Sequence, residues 1–197
     1  MRKAFSLTIL VAIIVLLAFP AGAAYAAAAG SKPVVAVLPV LDNSGQRSGR
    51  YAAQTIEDKL VGKFSDGRYN VLYGQVLLDG LKNQGIDDVR TADTASVQAA
   101  LGRMRVDYSI RTELMYVSLQ QKVSLPTVLL FVKTWNATVP LFINVMDVNQ
   151  GVALYDSTMI ETGKHEAVIG FANQTSAVKN ALDKILPRID REVNLPE

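Results

Sequence analysis

The segment Val34-Val35-Ala36-Val37-Leu38-Pro39-Val40-Leu41 carries no polar side chain at any position. A strand with one face in water alternates apolar and polar residues. A strand that is apolar throughout is buried on both faces, with helices above and below it. The polar loop Asp42 to Gly49 follows, with Ser48 as a candidate N-cap. A helix is predicted over Arg50 to Phe64, with Ala53, Ile56, Leu60 and Phe64 on one stripe. Ser65-Asp66-Gly67 ends it, and Tyr69 to Tyr73 reads as a second strand, parallel to the first.

Further along, the spacing predicts helices over Gln75 to Asn83, stopped by Gly85, and over Thr94 to Leu101, closed by Gly102. A third strand is expected over Val106 to Val117. A looser alternation continues through Leu114 to Leu125 until Pro126 interrupts it. Trp135 to Val148 and Val152 to Ile160 read as two strands joined by the hairpin turn Asp147-Val148-Asn149-Gln150-Gly151. The last helix runs from about Asn173 to Val193, with Val178, Leu182, Ile185, Ile189 and Val193 as its apolar stripe and Pro187 as a kink or division. The order β-α-β-α-α-β-β-β-α describes an α/β (α+β) single domain over residues 33–193 with a mixed sheet.

The first 26 residues read as an export signal. Arg2 and Lys3 precede an apolar run of 13 residues, Leu7 to Phe19, and Ala24-Tyr25-Ala26 offers a cleavage site. The run is shorter than the roughly 20 residues a membrane-spanning helix needs. The mature chain is therefore expected outside the cytoplasm, in the periplasm or cell envelope. Removing Arg2 and Lys3 from the 20 basic residues leaves 18 against 18 acidic ones, so the mature chain is formally neutral. That balance gives no electrostatic signature for nucleic acid. The chain has no cysteine, which excludes disulfides, a thiol nucleophile, cysteine metal sites and a lipid-modified N-terminal Cys.

Three stretches together resemble the curli secretion channel (CsgG-like) family and relatives with the TolB N-terminal type of fold. The first is Val35-Ala36-Val37-Leu38-Pro39-Val40-Leu41-Asp42-Asn43-Ser44, a strand ending in a polar loop before a helix. The second is Leu101-Gly102-Arg103-Met104-Arg105-Val106-Asp107-Tyr108-Ser109-Ile110-Arg111-Thr112-Glu113-Leu114. The third joins Trp135-Asn136-Ala137-Thr138-Val139-Pro140 to the hairpin from Val145 to Tyr155. The resemblance implies an envelope protein without enzymatic activity that assembles with itself or binds other envelope proteins. This chain departs from the channel subunits in lacking a cysteine to acylate. It also has only one region, Tyr116 to Thr134, for an additional hairpin.

Catalytic, cofactor and metal residues are not expected. His165 is the only histidine and reads as an exposed loop residue in Lys164-His165-Glu166 near a strand-to-helix junction. Gly45-Gln46-Arg47-Ser48-Gly49 lacks the spacing of a phosphate loop. The adjacent acids Glu57-Asp58 and Asp87-Asp88 read as solvated. Leu125 to Phe142 concentrates apolar and aromatic area. Core is one reading of it; the other is a partner or membrane-surface contact through Leu129, Leu130, Phe131, Trp135 and Phe142. Asp42, Arg47 and Arg50 form a candidate loop contact for an acidic partner. Expected partners are envelope proteins or a second copy, with at most peripheral membrane association. Two alternatives stay open. An outer-membrane channel component predicts an amphipathic hairpin at Tyr116 to Thr134. A hydrolase or small-molecule binder predicts Asp42, Arg47 and Asp107 converging at the carboxyl ends of the strands.

Overall fold

The computed structural model describes residues 32–127, 130–168 and 172–196; the export signal expected at residues 1–26 lies outside them. The elements run β1 (Val34–Val37), β2 (Leu41–Asp42), α1 (Arg47–Phe64), β3 (Asn70–Leu72), α2 (Gly74–Asn83), α3 (Thr94–Arg103), β4 (Tyr108–Leu114), β5 (Ser118–Thr127), β6 (Leu130–Asp147), β7 (Val152–Val168) and α4 (Gln174–Glu192). The fold is a mixed-sheet α/β domain, as the sequence predicts. β1 lies between β3 and β4, parallel to both. β4 is antiparallel to β6, and β6 is antiparallel to β5 and to β7.

β1 divides two cores by simple alternation. Val35 and Val37 face a cluster with Ile56 and Leu60 of α1 and Val178, Leu182 and Ile185 of α4. Ala36 and Leu38 face a second cluster with Leu77 and Leu81 of α2 and Val97 and Leu101 of α3. This is the two-sided burial that an unbroken apolar strand demands. The predicted strand is nevertheless split. The chain leaves the ladder around Pro39 and rejoins β4 as β2, at Leu41 and Asp42.

Several boundaries differ from expectation. α1 starts at Arg47, with Gln46 at its N-cap position and no side-chain cap, so Ser48 lies inside the helix. Ser44 does the local work instead: its hydroxyl accepts the Gln46 N–H at 3.2 Å and donates to Asp42 Oδ1. Gly102 is helical, not a cap. The left-handed residue after α3 is Arg105, at φ 58°. The N–H of Val106 reaches the Leu101 carbonyl and that of Arg105 reaches Gly102, a Schellman closure with buried Val106 as its apolar contact. Helix α4 continues through Pro187, whose ring is on the exposed side, where water can satisfy the freed carbonyl of exposed Asp183. β6 begins five residues earlier than expected and β7 ends eight residues later. His165 is therefore a strand residue, opposite Trp135, and not a loop residue. Its Nδ1 accepts the N–H of Asn173, the N-cap residue of α4.

Helix α4 is seated directly on β7. A Cβ at Gly163 would stand 2.0 Å from the Ala177 carbonyl oxygen and 2.3 Å from the Ala181 nitrogen. Asn180 and Lys184 donate to the carbonyls of Lys164 and Thr162, both at 2.6 Å. Gly163→Val should destabilise the domain by about 3 kcal/mol in urea unfolding, because neither backbone can retreat. Arg105→Gly should stabilise it by about 1 kcal/mol, by removing the cost of a side chain at positive φ. An unchanged midpoint for either variant would contradict the packing described.

Candidate interaction surface

The two helical layers do not cover the sheet equally. On the side of α2 and α3, cover stops at β4. There Gln98 of α3 donates to the Ser109 hydroxyl at 2.8 Å, and Arg111 donates to Thr94 Oγ1 at 2.6 Å. Beyond β4, no helix among the described residues packs on that side of β6 and β7. Alternation along β6 puts Ala137, Val139, Leu141, Ile143 and Val145 into the α1–α4 core. Pro140, Phe142, Asn144 and Met146 are then on the uncovered side.

Cross-strand register gathers the apolar ones. Phe142 lies between Glu113 of β4 and Thr158 of β7. Pro140 is paired with Ile160, and its carbonyl accepts the Met115 N–H at 3.1 Å. Met115 is 43% exposed and Ile160 59%, and neither they nor Pro140 and Phe142 belong to either core cluster. The apolar centre is framed by polar rows. On one side Asn144 donates to Asp156 at 3.1 Å; on the other the Thr138 and Thr162 hydroxyls are 3.1 Å apart. Glu166, bonded to Lys164, has its carboxyl held below the usual range. An apolar centre with a polar rim on an open sheet face has the anatomy of a protein interface.

The sequence-predicted patch is divided by the strand that holds it. Phe142 is on the open face. Trp135 is on the opposite side of β6, half-buried against the α4 core, with the Lys133 ammonium 5.6 Å from its ring centre. Leu129 lies outside the described residues. Leu130 and Phe131 begin β6, and their side chains are not described. Sequence reasoning missed Met115 and Ile160. Their signal was the parity of the hairpin register, which becomes readable only once Pro140 is set opposite Ile160.

The loop residues behave differently. Asp42, Arg47 and Arg50 do come together, with Gly45 and Gln46, around a concavity of about 700 Å3. Neither guanidinium has an ion-pair partner among the described residues. Gly49 lets α1 settle onto this loop, since a Cβ there would meet Ser44 Oγ at 1.7 Å. Asp107 does not join them. It precedes β4, where its carboxylate accepts the Val34 N–H at 2.8 Å and the Asn149 amide at 3.0 Å. That is the amino end of β1 and β4, whereas Asp42 follows their carboxyl ends. The convergent Asp42–Arg47–Asp107 pocket is thus not formed.

Likeness to solved structures is broad but distant. A neuraminyllactose-binding hemagglutinin homolog from Helicobacter pylori matches 84% of this chain and 90% of its own, at 11% identity and a TM-score of 0.50. Lipoprotein GNA1162 from Neisseria meningitidis matches 81% and 99%, at 13% identity and a TM-score of 0.41. The LpoB C-terminal domain from Salmonella enterica matches 66% and 84%, at 11% identity and a TM-score of 0.42. At 11% identity the first of these shows a shared fold and nothing further. No family model matches the sequence, and no curated protein matches it.

One carboxylate of α1, on the other side of the sheet, sets a pH dependence. Burial pushes Glu57 of α1 above its ordinary value; the Val40 N–H pulls it back and Asp58 adds to the rise. A raised folded value means that the native state binds more protons than the unfolded chain in the window above the unfolded pKa. Stability then falls as pH rises through that window. Glu57→Gln should raise the melting temperature at pH 7 and leave it unchanged below the unfolded pKa. A lower melting temperature at pH 7 would contradict burial as the dominant cause.

Proposed function

We propose that this chain is an exported, non-enzymatic protein of the cell envelope that binds or assembles with other envelope proteins through the uncovered half of its sheet. The observation behind this reading is the cluster of Met115, Pro140, Phe142 and Ile160, an apolar centre with a polar rim on a face that no helix among the described residues covers. The export-type N-terminus and the CsgG-like stretches support the compartment. No helix among the described residues is long and apolar enough to cross a membrane.

The channel reading has one observation in its favour: β5 and β6 form an additional hairpin, with Thr127 opposite Leu130. Its strand chemistry is wrong for a barrel wall. Gln120, Gln121, Lys122 and Ser124 are all exposed, so both faces of β5 present polar groups where a spanning strand keeps one face apolar.

Site-specific photo-crosslinking in expressing cells tests the interface. A crosslinker at position 160 or 142 should give discrete adducts, and one at exposed Lys179 on α4 should not. Phe142→Asp should abolish the adducts from position 160 without lowering the melting temperature by more than a few degrees. If position 160 gives no more adduct than position 179, the sheet face is not the interface.

A further inference from the structure

The sheet has a topological switch point that the assembly reading does not use. After β1 the chain turns to α1 on one face; after the neighbouring β3 it turns to α2 on the other. Adjacent parallel strands whose connections leave in opposite directions open a crevice at their carboxyl ends, and this is where open α/β sheets bind ligands. Here the crevice has a volume of about 590 Å3, within the range of small-molecule and peptide sites. Its back is Pro39 to Leu41, the segment that leaves the ladder. Its walls are α2 and the loop after it. That loop is firmly held. Ile86 and Val89 are buried in the α2–α3 core, and the Asp88 carbonyl accepts the N–H groups of Thr91 and Ala92.

The lining combines apolar and charged groups in an uneven balance. Leu78, packed against the α2–α3 core, and Val40, packed against the α1–α4 core, are each half-buried and line the crevice from its two sides. Asp88 and Arg90 neutralise each other at 3.2 Å, with the Asp88 carboxyl held below its ordinary range by that guanidinium. Among the described residues the Asp79 carboxylate has only the neutral Gln75 amide as partner, at 2.7 Å. The side chains of Asp87 and Lys82 have no hydrogen-bond or ion-pair partner among the described residues. Two carboxylates and one ammonium, none of them in an ion pair among the described residues, thus line the crevice with its apolar groups.

We infer that this crevice binds a short peptide segment that presents a cationic group beside an apolar side chain. Asp79 and Asp87 take the cation, Val40 and Leu78 take the apolar side chain, and the Lys82 ammonium donates to a peptide carbonyl. A free amino acid would leave most of the volume empty, and a purely acidic segment would meet the excess carboxylates. The site is independent of the sheet-face reading, since Phe142 and Ile160 lie elsewhere.

The test is an amide-shift NMR titration of the protein purified from cells expressing the full chain. The probes are N-acetyl-Leu-Lys-Leu-amide, N-acetyl-Leu-Glu-Leu-amide and spermidine. The lysine peptide should give saturable shifts confined to residues 39–41, 75–82 and 87–90, with at least tenfold weaker binding of the glutamate peptide and of spermidine. The double variant Asp79→Asn, Asp87→Asn, at two exposed positions, should weaken the lysine peptide at least tenfold with its melting temperature unchanged. Phe142→Asp should leave that affinity unaltered. Saturable shifts elsewhere, equal affinity for the glutamate peptide, or spermidine binding as tightly as the lysine peptide would each overturn the assignment. No saturable shift with any probe would overturn it as well. None of these outcomes bears on the sheet-face crosslinks.

Discussion

A single strand joins the two halves of this molecule by backbone pairing. Along one edge, β6 pairs with β4 from Leu141 to Asp147 and with β5 from Leu130 to Thr138; along the other it pairs with β7. At about 3.4 Å per residue, its 18 residues extend roughly 60 Å. The parallel part of the sheet, β3-β1-β4, is packed between helices and could hold no exposed apolar side chain without cost. The antiparallel part has helix cover on one side only, which is the ordinary condition of antiparallel sheets. The open face is therefore a consequence of topology. The β3-to-β4 connection carries α2 and α3 over β1, and no later connection returns to that side.

The three stretches that suggested a family resemblance each do identifiable local work. Asp42-Asn43-Ser44 closes the end of β2: Asn43 donates its amide to Glu113 at 2.7 Å, and Ser44 ties Asp42 to the start of α1. The stretch around Arg105 and Asp107 turns α3 into β4 and pins the starts of β1 and β4 to the β6–β7 turn. The third stretch makes that turn, with the Gln150 N–H on the Asp147 carboxylate at 2.8 Å and Gly151 at φ 67°. These are structural roles, and they account for the motifs without invoking a reaction.

How legible an element was in the sequence depended on whether its residues declare their environment. β1, α1 and the α4 stripe were readable because burial on a fixed period leaves an apolar pattern. The start of β6 and the end of β7 were not. Lys133-Thr134 and Lys164-His165-Glu166 are polar, and their strand state comes from pairing with each other, Thr134 with Glu166 and Trp135 with His165. Propensity has little to say where the partner strand decides. Ser48 carries a capping residue type but lies inside α1, and it is Ser44, four residues earlier in a buried turn, that reaches the helix end. Of the candidate site, Phe142 and the Asp42–Arg47–Arg50 grouping were visible. Met115 and Ile160 were not, because they are brought beside Pro140 only by the register of two different ladders.

Pro140 has a mechanical side. Its nitrogen, with no hydrogen to give, points toward the edge where β4 has ended and β5 has not begun; Met115 to Val117 cross that gap outside either strand. On this edge the ladder has a seam. Across the same row only the β7 pairing, Leu141 with Met159 and Val139 with Glu161, runs without interruption. The outer ribbon of β5, β6 and β7 is thus a cantilever with a weakened row at its root. Any deflection of the ribbon concentrates there, at the margin of the exposed apolar cluster, so a load on the hairpin and a contact on the sheet face act on the same few residues.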